Sequence, residues 1–145
     1  MAKHILVIND TQEILQLFGE ILTGEGYEVT LQPYGQEEIS DVRRLMPDLI
    51  ICDFPPLDRE QHGWQFIQKV KMTRDLAKIP LVVCTTNLKA IEQNQGWLVS
   101  KGALIIPKPF KIDELLDAVK QQLGDADSPD AGPFASQIKG LKDPS

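Results

Sequence analysis

Long apolar runs are scarce in this chain. Near the amino terminus only four aliphatic residues stand together, Ile5 to Ile8, far short of a signal-peptide core or a membrane span. The expected location is therefore the cytoplasm. Basic clusters are missing as well. Lys and Arg number 15 against 21 Asp and Glu, for a formal net charge of −6 and a pI near 4.9. Phosphate backbones and anionic bilayers demand clustered cations, so nucleic acid and membrane are excluded as main partners. Cysteine is nearly absent. Cys52 and Cys84 each lie beside the end of an apolar run, where a small buried hydrophobe is expected rather than a redox pair. Glycine-rich phosphate loops are lacking too: no Walker or dinucleotide pattern occurs. The turn Asn9-Asp10-Thr11-Gln12 has none of the Ser/Thr/Gly richness of a flavin phosphate loop.

What the chain does have is a set of short apolar strands ending in polar residues. The stretch Asp48-Leu49-Ile50-Ile51-Cys52-Asp53 puts four apolar residues between two acids, the pattern of a strand buried on both faces in a parallel sheet. Pro55 and Pro56 follow at once. Proline cannot donate to a ladder, so Asp53 is left at the carboxyl edge of the sheet, where open α/β sheets bind ligands. Strands are likewise predicted over His4 to Ile8, Tyr27 to Leu31, Leu81 to Cys84 and Ala103 to Ile106. Between them come helices: one with Ile14, Leu17, Phe18, Ile21 and Leu22 inward; one over Gln36 to Met46 with Ile39, Val42 and Met46 inward; one after a loop from Phe54 to Gly63, with Trp64 at its start and Phe66, Ile67 and Val70 in spacing; a weak one interrupted by Gly96; and a final one through Ile112, Leu115, Leu116, Val119 and Leu123. His62, in the loop, is expected to be solvated.

Such alternation requires a parallel sheet with right-handed crossovers. The expected fold is α/β, a flavodoxin-like doubly wound five-stranded sheet of order 2-1-3-4-5 with helices on both faces. At 145 residues the chain suits one domain, residues 1–124. Residues 125–145, rich in Asp, Ser, Pro, Gly and Ala, are expected to be a disordered tail.

The strand tips offer Asn9 and Asp10, then Asp53, then Thr85, then Lys108. A carboxylate can attack a phosphoryl group to give an acyl phosphate. Magnesium takes one or two carboxylates and keeps its waters, and a lysine and a hydroxyl balance the phosphoryl oxygens. Each residue also has a plainer explanation. Asp10-Thr11-Gln12-Glu13 fits a capping box, Asp53 fits a turn before the prolines, and Thr85 is an ordinary strand-end residue. Lys108 between Pro107 and Pro109 is harder to explain as a surface charge, because rigid flanks fix its direction.

Four segments, Ile5 to Asp10, Pro47 to Asp53, Ile79 to Thr85 and Lys108-Pro109-Phe110, together resemble the receiver domain of two-component response regulators, over residues 3 to 123. The resemblance implies that Asp53 accepts a phosphoryl group from a histidine kinase or phosphotransfer protein and that Asp10 binds Mg2+ together with Asp53 and the Pro55 carbonyl. It further implies that Thr85 and Lys108 sense the phosphoryl group and that the Lys108–Pro109 bond is cis. No enzyme activity beyond self-phosphorylation of Asp53 is expected. A phosphatase using an aspartyl nucleophile would need an acid where Pro55 stands.

The chain departs from the family pattern in four places. Asn9 replaces a second acid, which lowers the affinity for magnesium while leaving an amide to orient a metal-bound water. The loop after Asp53 is lengthened, and Pro55 has no N–H to give. Thr86 replaces a small residue after the sensing hydroxyl. The segment from Gly102 to Lys108 is short, with Ile105 in the place of a switch aromatic. The expected function is a stand-alone receiver signalling through protein contacts at its fourth and fifth helices. The rival is a pseudo-receiver, an interaction module with weak or no phosphorylation.

Overall fold

The computed structural model describes residues 2–35, 38–53 and 61–124. Pro55, the loop after Asp53 up to residue 60 and the tail from 125 lie outside the described residues. Five strands and five helices alternate: β1 (His4–Asn9), α1 (Gln12–Gly24), β2 (Glu28–Pro33), α2 (Ile39–Leu45), β3 (Leu49–Asp53), α3 (Gln61–Met72), β4 (Leu81–Thr85), α4 (Leu88–Ser100), β5 (Ala103–Pro107) and α5 (Ile112–Leu123). The sheet is parallel throughout, with order β2-β1-β3-β4-β5, as the alternation of patterns predicts. No helix among the described residues is long and apolar enough to cross a membrane.

Strand alternation divides the core in two. Ile5, Val7, Leu49, Ile51, Val82 and Cys84 face one side, where Leu15, Phe18 and Leu22 of α1 and Leu115, Ala118 and Val119 of α5 cover them. Leu6, Ile8, Ile50, Cys52, Leu81 and Val83 face the other, beneath Val42 of α2, Phe66, Ile67 and Val70 of α3, and Leu98 of α4. Both cysteines are buried and neither is in a disulfide, and burial pushes the Cys84 thiol well above its ordinary pKa. They serve as small hydrophobes. At the amino edge of the sheet, Gln122 Nε2 donates to the carbonyls of Leu81 and Gly102, each at 2.7 Å, tying α5 to the starts of β4 and β5.

Four local expectations are corrected. Leu17 is 44% exposed; the buried stripe runs through Leu15, Phe18 and Leu22, and Leu17 lies about 100° round the helix from Phe18. Met46 is also exposed. The residue before a proline is steered out of the right-handed helical region; Met46, preceding Pro47, takes φ 44° as the cap of α2, its N–H on the Val42 carbonyl, and its side chain leaves the inward stripe. The third helix starts at Gln61, so His62 and Gly63 are helical rather than loop. His62 is exposed, with its ring edge-on to Tyr34. Finally, α4 runs unbroken through Gly96: a helical glycine costs about 1 kcal/mol, and Leu98, fully buried, anchors the following turn.

Candidate functional site

The carboxyl edge gathers its polar groups through register. Ile8 pairs with Cys52 and Asp53 with Cys84, so Asn9 and Asp53 end adjacent strands on the same face as Val7 and Ile51. Both are almost wholly buried, at 3% and 4% exposure. The Asn9 amide donates through Nδ2 to Asp53 Oδ2 at 2.6 Å, and its Oδ1 accepts the Thr11 N–H at 2.7 Å. On the other side the Lys108 ammonium forms an ion pair with Asp53 Oδ1. The Lys108 N–H donates to the Thr85 carbonyl at 2.9 Å, and the Lys108–Pro109 peptide bond is cis.

Asp10 is exposed at the mouth of the site and accepts a bond from the Thr11 hydroxyl at 3.2 Å. Thr11 is the N-cap residue of α1 but makes no side-chain cap bond, so the capping-box pattern is not used. Thr85 is fully buried. Alternation along β4 gives it the face of Leu81 and Val83, and its hydroxyl accepts the Asn87 N–H at 3.0 Å. The sequence-predicted residues Asn9, Asp53 and Lys108 thus meet in direct contact. Asp10 acts on them through its charge, and Thr85 stands on the neighbouring strand tip.

Burial is the largest influence on the Asp53 carboxyl and raises its pKa. The Lys108 charge and hydrogen bonding from Lys108 and Asn9 oppose that rise, while the Asp10 charge adds to it, and the net direction is upward. A carboxyl still raised beside a lysine is short of positive charge. Two carboxylates near each other, one of them exposed, suit a hard divalent cation that takes oxygen ligands and retains water. No cluster of three or more acidic, histidine or cysteine side chains suited to a metal occurs among the described residues.

One feature escapes a reading of the sequence: the Asn9 amide offers a donor to Asp53, where a metal-bound water was expected. The signal was present in Asn9-Asp10-Thr11, since asparagine oxygens commonly accept the N–H two residues on. That bond leaves Nδ2 to point the other way.

Residues 5–120 match the response regulator receiver domain family. Sporulation initiation phosphotransferase F of Bacillus subtilis is 29% identical over 126 residues, covering 85% of this chain and 95% of that protein. The DNA-binding response regulator MtrA of Mycobacterium tuberculosis is 29% identical over 123 residues, covering 85% of this chain and 51% of that protein, so the chain spans about half of that relative's length. Among solved structures, the chemotaxis response regulator CheY4 of Vibrio cholerae superposes with a TM-score of 0.69 at 26% identity, covering 85% of this chain and all of that one.

Proposed function

From the premise that this chain belongs to the response regulator receiver family, we propose that Asp53 is a phosphoacceptor supplied by a histidine kinase or phosphotransfer protein in the cytoplasm. The observation that carries the reading is the buried Asp53 carboxylate at the tip of β3, paired with Lys108 and within the field of Asp10. In the step proposed, an oxygen of ionised Asp53 attacks phosphorus, a P–O bond forms as the P–N bond of the donor phosphohistidine breaks, and the departing imidazole takes a proton from solvent. Lys108 balances charge on the phosphoryl oxygens, and the Thr85 hydroxyl, which rests toward the face of Leu81 and Val83 on the Asn87 N–H, would have to turn over the strand tip to donate to them. Asp10 and Asp53 would hold a magnesium ion, which supplies positive charge to those same oxygens. The chain acts on itself and turns over no separate substrate. Its output runs through contact with a protein target on the surface of α4, β5 and α5, where Trp97 is exposed and Ile105 half-buried.

A second reading, an interaction module with little phosphotransfer, is favoured by the Asn9 amide on Asp53 Oδ2. Incubation with acetyl phosphate and magnesium followed by intact mass measurement separates the two. The first reading expects one added phosphoryl group that disappears in Asp53→Ala. No added mass, or mass that persists in Asp53→Ala, supports the second.

A further inference from the structure

Both oxygens of Asp53 are engaged at once, Oδ1 by the Lys108 ammonium and Oδ2 by the Asn9 amide. We infer that Asn9 is a latch on the phosphoacceptor: its amide occupies the carboxylate oxygen that a divalent cation must take, and metal binds only as that amide gives way. The inference rests on the reading of Asp53 given above and names the residue that regulates it.

The bond is short, 2.6 Å, and donates to an ionisable oxygen between two side chains almost closed to water, conditions under which a hydrogen bond is stronger than at the surface. The amide cannot simply turn over. Its Oδ1 accepts the Thr11 N–H at 2.7 Å, and Thr11 is fixed in turn as the start of α1, its carbonyl accepting the Leu15 N–H at 3.0 Å. Rotating the amide by half a turn would set NH2 against N–H and carbonyl against carboxylate. The same logic fixes which atom is nitrogen. An aspartate at position 9 would keep the Thr11 bond but face Asp53 with a second negative oxygen, drawing a cation in rather than substituting for one. Of the two groups covering Asp53, the neutral amide is the weaker and is the one a cation displaces. Asn9 therefore does more than remove a charge: it actively competes with the metal.

Calorimetric titration of the full chain with Mg2+ alone, at pH 8, distinguishes competition from missing charge. Asn9→Ala removes the donor and adds no charge, and is expected to tighten Mg2+ binding by about tenfold, equivalent to about 1.4 kcal/mol; Asn9→Asp is expected to tighten it further. Affinity in Asn9→Ala equal to or weaker than in the unmutated chain overturns the latch, even where Asn9→Asp gains. If none of the three proteins binds Mg2+, Asn9→Asp included, the metal-dependent reading of Asp53 fails and takes the latch with it. A measurement on the unmutated chain guards against misfolding of the variants. The Asn9 side-chain NH2 protons, followed by NMR, are expected to lose their carboxylate-bound shift on saturation with Mg2+; retention of that shift with the metal bound overturns the inference.

Discussion

Lys71 shows how backbone carbonyls hold a buried ammonium. Only 5% exposed, it donates to the carbonyls of Ala77 at 3.1 Å and Ile79 at 2.6 Å, fastening the end of α3 to the turn that leads into β4. Burial, aided by the charge of Lys101, lowers its pKa to about 8. A neutral amine still has two N–H donors, enough for both carbonyls. The sign follows from linkage: between about pH 8 and the ordinary lysine value of 10.5 the unfolded chain holds the proton and the folded one releases it, so stability rises with pH across that window. The full shift corresponds to about 3 kcal/mol, and partial solvent screening reduces it to roughly 1–2 kcal/mol. Urea unfolding at pH 7.5 and pH 10 is expected to show that gain in the unmutated chain relative to Lys71→Met; equal pH responses in the two proteins contradict it. Lys71 could not be picked out from the sequence, because a lysine late in an amphipathic helix ordinarily points to water and only the path of the following turn closes over this one.

At the scale of elements, Gly96 separates local propensity from tertiary constraint. A Cβ built there meets nothing within 4 Å, and its backbone has no positive φ, in contrast to Gly102 at φ +81° and Gly124 at φ +75°. Gly96→Ala is therefore expected to stabilise the chain by roughly 0.5–1 kcal/mol through α4 alone, read as a rise in the urea midpoint; a fall would show that α4 uses the flexibility. Spacing located the buried stripe of α3, with Phe66, Ile67 and Val70 all buried, but on α1 it placed Leu17 inward although that residue is exposed. Helix ends were less legible. Met46 follows the period of α2 but obeys Pro47, and His62 and Gly63 carry no apolar signal although the Tyr34 hydroxyl accepts the Gly63 N–H at 2.7 Å in the first turn of α3. Spacing reports which face is apolar; it says little about where a turn of backbone finds its partners.

For the molecule as a whole, the four buried strands β1, β3, β4 and β5 carried the fold, because parallel pairing covered on both faces leaves apolar runs bounded by acids, prolines and hydroxyls. The tips of those runs gave Asn9, Asp53, Thr85 and Lys108 as neighbours; the orientation of the Asn9 amide is set locally by the N–H of Thr11, but that its other end meets Asp53 depends on the pairing of β1 with β3, 44 residues apart in sequence. The core described here is filled by residues from Ile5 to Leu123. Removing residues 125–145 is accordingly expected to leave the thermal midpoint unchanged, and a fall of more than about 4 °C, near 1 kcal/mol for a domain of this size, would assign the tail a structural role. Gln122, bridging the Leu81 and Gly102 carbonyls, has a consequence for biosynthesis. The clasp across β4 and β5 forms only after residue 122 has cleared the ribosome, so a nascent chain emerges with that seam unfastened, and α5 closes what the earlier segments have laid down.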